Sequence, residues 1–159
     1  QITTQRADIW GPNNDLANLL LRPVPDGDFW ATVLLTIRPN TFAQQGGLVV
    51  YQDADNYVRI TRGLVAEDEC DQCVQFGIEQ NREPRAQQVG VQETTVYLAV
   101  SRRGSTYTGY YSLDGTRWIK VGEYSNVNLR QAQIGISAWN AHVVAPEIPV
   151  EFDFVTIEQ

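Results

Sequence analysis

The sequence predicts an all-β protein, folded as an antiparallel two-sheet sandwich. Three observations predict it. Apolar residues alternate with period two in nearly every apolar segment. Turn chemistry recurs at short intervals between those segments. No window outside the strand runs keeps an apolar face at i, i+3, i+4 and i+7, so no helix is expected.

Leu16–Arg22 (LANLLLR) is the first expected strand. Asp28–Ile37 (DFWATVLLTI) is the clearest. Its Phe29, Ala31, Val33, Leu35 and Ile37 share one face, and Trp30, Thr32, Leu34 and Thr36 share the other. Gly47–Gln52 and Tyr57–Arg62 flank Asp53-Ala54-Asp55-Asn56, which is hairpin chemistry. Cys73–Gln80 alternates again, with Val74, Phe76 and Ile78 together. Thr95–Ser101 and Thr106–Ser112 form a second hairpin across Arg102-Arg103-Gly104-Ser105. Leu113-Asp114-Gly115-Thr116 turns the chain into Arg117–Val121. Gln133–Trp139 and Val150–Ile157 complete about ten strands, rich in β-branched and aromatic residues. Pro23-Val24-Pro25 and Pro146–Pro149 read as loops.

The 159 residues suit one domain, 1–159, with one core. The sequence holds no methionine and no signal-peptide pattern, so a processed chain or a module excised from a longer protein is expected. No apolar run reaches the length of a membrane span, so no membrane partner is expected. A formal charge of −7 repels phosphate backbones, and no basic stripe compensates, which argues against nucleic acid.

Cys70 and Cys73 stand in EDECDQC. Zinc needs about four ligands, and the single histidine, His142, is distant with no second CxxC. A small disulfide closing an acidic loop is the expectation, and it suits an extracellular, oxidising location. The cluster Glu67–Asp71 offers oxygen ligands to Ca²⁺ without the spacing of an EF-hand loop. Asp153 with loop oxygens around Asn13 to Asp15 is an equal alternative, so a structural Ca²⁺ stays open and no other cofactor is called for.

Five segments occur in an order that resembles a known family: NLLLR (Asn18–Arg22), GDFWATVLLTI (Gly27–Ile37), GGLVVYQDADNYVRITR (Gly46–Arg62), YYSLDGTRWIKVG (Tyr110–Gly122) and QIGISAW (Gln133–Trp139). They resemble the concanavalin-A-like domains appended to bacterial glycoside hydrolases, of the β-xylosidase C-terminal and levan-binding types. The likeness runs from about Ala7 to Ile157, and GLVVYQDADNYVRI is its most specific part. The resemblance implies a jelly-roll of two packed sheets and a neighbouring catalytic domain in the parent chain. It also implies that a bound sugar, where there is one, sits on or beside one sheet.

Sugar recognition needs apolar rings for C–H faces, and amide, carboxylate or guanidinium groups for hydroxyls. With Phe29, Val33, Val58, Ile60, Phe76 and Ile78 in the core, parity puts Trp30, Tyr51, Tyr57, Arg59, Gln75 and Glu79 on the opposite face. Trp30, Tyr51, Tyr57, Arg59 and Glu79 are the expected ligand-binding set, sharing one sheet face. A bulge between Gly46 and Tyr57 would swap the faces. The competing expectation is a second layer covering them as ordinary packing residues. SLDGTRW (Ser112–Trp118) resembles the Asp-box turn of sialidases, where the aspartate orders the turn and the tryptophan packs beneath it, with no catalytic job. Trp139-Asn140-Ala141-His142 leads from a strand end into a loop that could edge a site.

Catalysis is not expected. Glycoside hydrolysis needs two carboxylates at a set separation, and most acidic residues here fall in turns. There is no Gly-x-Ser-x-Gly elbow and no HExxH. The sequence therefore favours a non-catalytic carbohydrate-binding module that directs a partner glycoside hydrolase to a polysaccharide or oligosaccharide. The alternative is a structural accessory sandwich that packs on a neighbouring domain without binding glycan. A stand-alone hydrolase ranks third.

Overall fold

The computed structural model describes residues 1–12, 15–16, 18–65 and 70–159. Twelve strands and no helix are present among them. The strands are β1 (Ile2–Thr3), β2 (Leu19–Pro23), β3 (Phe29–Ile37), β4 (Gln45–Asp53), β5 (Asn56–Gly63) and β6 (Cys73–Gln80). They continue with β7 (Glu83–Gly90), β8 (Thr95–Arg103), β9 (Thr106–Ser112), β10 (Ile119–Tyr124), β11 (Gln133–Trp139) and β12 (Pro149–Glu158).

They form two six-stranded antiparallel sheets. The first runs β1-β12-β3-β8-β9-β10 and the second β2-β11-β4-β5-β6-β7. The sheets stay open and pack face to face as a concanavalin-A-like jelly-roll sandwich. Each contributes one inner face, as period-two alternation demands. Phe29, Ala31, Val33, Leu35 and Ile37 from the first sheet meet Leu48, Val50, Val58, Ile60, Phe76 and Ile78 from the second.

Ten strands fall where alternation and turn signals place them. The sequence reading missed two. β1 is two residues long. β7 (EPRAQQVG) is a largely exposed edge strand without alternation, and its Pro84 suits an edge rather than a central position. The DADN turn closes the β4–β5 hairpin as expected. Asp53 Oδ1 accepts from the Asp55 amide at 2.9 Å and from Asn56 Nδ2 at 2.9 Å. A bulge does lie in this hairpin, between Tyr51 and Asp53. It comes after Tyr51, so Val49 and Tyr51 keep the outward parity read from the sequence.

The Ser112–Trp118 turn is built as its resemblance implied. Asp114 Oδ1 accepts from the Thr116 and Arg117 amides, both at 2.8 Å, and from the Thr116 hydroxyl. These bonds hold its carboxyl well below the usual carboxylate range, the Arg117 amide contributing most. Cys70 and Cys73 are joined by a disulfide, and Cys73 is buried at the start of β6. Glu67, Asp68 and Glu69 lie outside the described residues, as do Asn13 and Asn14, so neither Ca²⁺ alternative is described in full. Asp15 contacts the Asp8 amide and His142 Nε2, while Asp153 belongs to β12 of the other sheet. Among the described residues, no three His, Cys, Asp or Glu side chains converge as a metal site.

Candidate functional site

The outward face of the second sheet carries the polar residues that parity selected. Tyr57 stands opposite Tyr51 on one side and Glu79 on the other. Arg59 pairs with Val49 and Gly77, and Thr61 with Gly47 and Gln75. Directly opposed residues in an antiparallel pair point the same way, so these side chains share one face.

Four of the five expected residues are brought together, and the fifth is not. Trp30 lies on β3, in the first sheet, and points away from the second. Parity correctly put it opposite core-facing Phe29. However, a sandwich has two outward faces, and alternation along one strand does not say which sheet the strand joins.

The N-terminal segment, which the strand pattern does not register, covers Tyr57 and Glu79 on the second sheet's outward face. Gln5 bridges Trp139 in parallel at the end of β11, and the chain then crosses the sheet. Ile9 is buried against Val49, Tyr57 and Trp139. The single Tyr57 hydroxyl proton is shared between the Ile9 carbonyl at 2.6 Å and Glu79 Oε2 at 3.0 Å. The Gly11 amide donates to the same Glu79 oxygen at 2.9 Å. Tyr57 and Glu79 are both 0% exposed. Burial pushes the Tyr57 phenol well above its ordinary value. These two residues anchor the strap instead of facing a ligand. Tyr51 packs at the rim of the same small cluster and is partly exposed, its phenol raised first by burial and then by Asp53 and Asp55.

Beyond the strap the face opens into a pocket of about 300 Å³ lined by Asp8, Trp10, Phe42, Gln45, Arg59 and Gln75, among others. Arg59 forms its floor and is only 3% exposed. Its Nη1 donates to Gln45 Oε1 at 2.8 Å and Thr61 Oγ1 at 3.1 Å, and its Nη2 to Gln75 Oε1 at 2.6 Å. The guanidinium carbon lies 5.2 Å from the Trp10 ring centre and 5.5 Å from that of Trp139. Gly77 makes room for this: a Cβ there would sit 3.3 Å from Arg59 Nε. The planar cation is thus held between two indoles by neutral acceptors.

Five buried side-chain polar atoms lack a hydrogen-bond partner among the described residues. One of them, Arg59 Nε, belongs to a residue that lines the pocket, while Glu79 Oε1 lies under the strap and Trp139 Nε1 and Asn140 Oδ1 are buried at the end of β11. Buried polar atoms are nearly always satisfied, so the unpaired Arg59 Nε is unusual. Asp8, on the pocket wall, has its carboxyl pushed up by burial, partly offset by the Ile9 amide and by Arg59. The site therefore presents an indole, two carboxamides, a carboxyl group and a buried guanidinium to one small volume. Among the described residues its lining holds one carboxyl group, that of Asp8.

Sequence reasoning named Arg59 and listed Gln75 on the right face. It missed Trp10, Gln45 and Asp8. Trp10 and Asp8 sit in an irregular segment that alternation cannot place. Gln45 precedes the apolar run of β4, and only the register Gln45↔Gly63 brings it beside Arg59. Trp139, expected at the edge of a site, is instead buried beneath Arg59.

Comparison with known proteins gives a consistent picture. A sequence model described as the β-xylosidase C-terminal concanavalin A-like domain matches residues 11–139. Among solved structures, a GH43 protein of Bacillus licheniformis is similar over 98% of this chain and 32% of its own, with a TM-score of 0.84 and 17% identity. A xylan β-1,4-xylosidase of Bacillus halodurans is similar over the same shares, with a TM-score of 0.79 and 16% identity. A functionally unknown protein of Saccharomyces cerevisiae is similar over 98% of this chain and 84% of its own, with a TM-score of 0.74 and 15% identity. The chain thus spans about a third of the length of the two Bacillus proteins. At these identities the structural likeness speaks for the fold. No curated protein matches.

Proposed function

We propose that this chain, which belongs to the family of β-xylosidase C-terminal concanavalin A-like domains, is a non-catalytic accessory domain that binds a sugar unit in the Arg59 pocket. The family is an accessory domain of GH43 glycoside hydrolases, distinct from the catalytic one, which supports the non-catalytic reading. The observation that carries the reading is Arg59 itself. A guanidinium buried to 97%, clamped between two indoles by three neutral side chains and left with an unpaired Nε, is costly to maintain for packing alone.

In this reading, the exposed part of Trp10 takes the C–H face of a sugar ring. Asp8 and Gln75 accept from hydroxyl groups, over the buried Arg59 guanidinium. A partner glycoside hydrolase in the same parent chain would gain local concentration on its polymer from such a site. The solved β-xylosidase relative makes xylose units the first ligands to try. An extracellular location is part of the proposal and agrees with the Cys70–Cys73 disulfide.

The alternative, a sandwich that only packs on its neighbour, draws support from the strap, which consumes Tyr57 and Glu79 in internal contacts. Calorimetric titration with xylose, arabinose and short xylo-oligosaccharides separates the two readings. Binding that weakens about tenfold or more, ~1.4 kcal/mol, in Gln75→Ala supports the pocket. Heat changes absent for every sugar would leave the packing reading.

A further inference from the structure

We propose that the outward face of the first sheet is a second carbohydrate-binding surface, which takes an uncharged polysaccharide chain laid along a row of aromatic rings. This goes beyond the Arg59 pocket and uses none of its residues. The row is continuous. Tyr110 and Trp30 have ring centres 5.0 Å apart, Trp30 and Trp118 5.2 Å, Trp118 and Tyr97 6.5 Å, and Tyr97 and Phe154 6.2 Å.

The strands dictate this row. Trp30 pairs with Ser101 and with Glu158, Thr32 pairs with Ala99 and with Thr156, and Leu34 pairs with Tyr97 and with Phe154. All of them point outward. Ala99 and Ser101 are small, so Trp30 reaches across β8 to stack on Tyr110 of β9, with Nε1 donating to Thr32 Oγ1 at 2.8 Å. Trp118 is delivered to the same place by the Asp114 turn. All five rings keep part of their surface exposed, and Phe154 is 38% exposed. Rings with one wet side are the usual anchors of recognition surfaces.

The chemistry around the rings selects the ligand. Among the described residues no cation–π contact falls on a ring of the row, and the charged side chains opposite it are Glu158, paired with Trp30, and Lys120, paired with Tyr110. The row's border is hydroxyl-bearing: Thr32, Ser101, Thr108 and the Thr36–Thr95 pair at 2.8 Å. The Trp30 end opens into a recess of about 190 Å³ lined by Asp28, Ser101, Arg102, Arg103 and Glu158. Among the described residues, neither Arg103 nor Glu158 is in an ion pair. Rings for C–H faces, with donors and acceptors at one end for hydroxyls, match a glycan. A net charge of −7 repels polyanions, so the polymer is a neutral one.

The test is affinity electrophoresis of the chain through gels containing neutral xylan or β-glucan, with pull-down on insoluble cellulose. Trp30→Ala and the double variant Tyr97→Ser/Phe154→Ser are compared with Val144→Ser, a loop change outside both sites, and with Gln75→Ala, which reports on the Arg59 pocket, each checked for the parent circular dichroism spectrum. The double variant keeps the test decisive if Trp30→Ala fails to fold. The expected result is retention of the parent and of Val144→Ser on at least one polymer, and loss of about tenfold or more in the aromatic variants. If the aromatic variants are retained like the parent while Gln75→Ala is not, the polymer is held by the Arg59 pocket and this proposal fails. A parent retained by none of the polymers, or one whose row is buried in a dimer by sedimentation, overturns it as well.

Discussion

Replacing Glu79 by Ala should loosen the strap that walls the Arg59 pocket. The side chain accepts from the Gly11 amide at 2.9 Å and the Tyr57 hydroxyl at 3.0 Å through one oxygen. Each bond is worth about 1–2 kcal/mol net. The Tyr57 hydroxyl keeps the Ile9 carbonyl at 2.6 Å, so only the Gly11 amide is orphaned. The other carboxyl oxygen has no partner, and removing it recovers part of the cost of burial. The net loss is about 2–3 kcal/mol, which corresponds to a fall in the melting midpoint of about 5–10 °C for a domain of this size. Glu79→Gln keeps an oxygen acceptor for both donors and places an amide donor where the unpaired oxygen lies, so it should retain most of the stability. Thermal melts read the first effect, and amide hydrogen exchange at Ile9 and Gly11 reads the second, rising in Glu79→Ala alone. A midpoint within about 1 °C of the parent, with the Gly11 amide still protected, would refute the latch.

Asp8 has its carboxyl raised from 3.8, first by burial, so the folded state holds its proton more tightly than the unfolded state does. Its burial as an anion costs stability at neutral pH, and that cost fades as pH falls toward 3.8. Asp8→Asn should therefore melt higher than the parent at pH 7, the gap closing in acid; an equal gap at both pH values would contradict this. Asp114 shows the opposite sign, since its folded value is depressed below 3.8. Its contribution is complete above that value and is lost as pH falls through the folded one, so Asp114→Ala should lower the midpoint at pH 7 and the gap should begin to close only in acid below 3.8. Gly77→Val should weaken sugar binding without removing a polar group, because its side chain meets Arg59; unchanged affinity in calorimetry would argue that Arg59 need not lie flat. The Cys70–Cys73 bridge closes only a three-residue separation, so Cys70→Ser should cost about 2 kcal/mol in urea titrations, and a loss above ~4 would show that the bridge does more than restrict the unfolded chain.

Alternation along each strand was enough to read inward from outward residues. Val58 and Ile60 went to the core and Tyr57 and Arg59 to the outside, because side chains on a strand alternate strictly. The same rule carries no information on which sheet a strand joins, and Trp30 was grouped with Arg59 for that reason. β7 escaped because an exposed edge strand needs no apolar period. The strap escaped for a related reason. Ile9, Trp10 and Gly11 act through one apolar contact, one ring and one amide, and such a segment has no period at all. Outwardness also did not mean exposure: Tyr57 and Glu79 point away from the core yet are sealed by Ile9 and Gly11 of the N-terminal strap, a long-range contact that local pattern cannot encode. Gln45 shows the same limit, since only the β4–β5 register sets it beside Arg59.

The Arg59 Nε–H group is the atom pair on which the proposed function rests, being buried and without a protein acceptor. Its resonance in a ¹H–¹⁵N correlation spectrum, assigned by its disappearance in Arg59→Lys, can be followed while xylo-oligosaccharide is added. The account predicts that this resonance shifts and saturates together with the Trp10 indole signal. Binding that moves other resonances while both of these stay still, or a spectrum unchanged by every sugar tried, would contradict it.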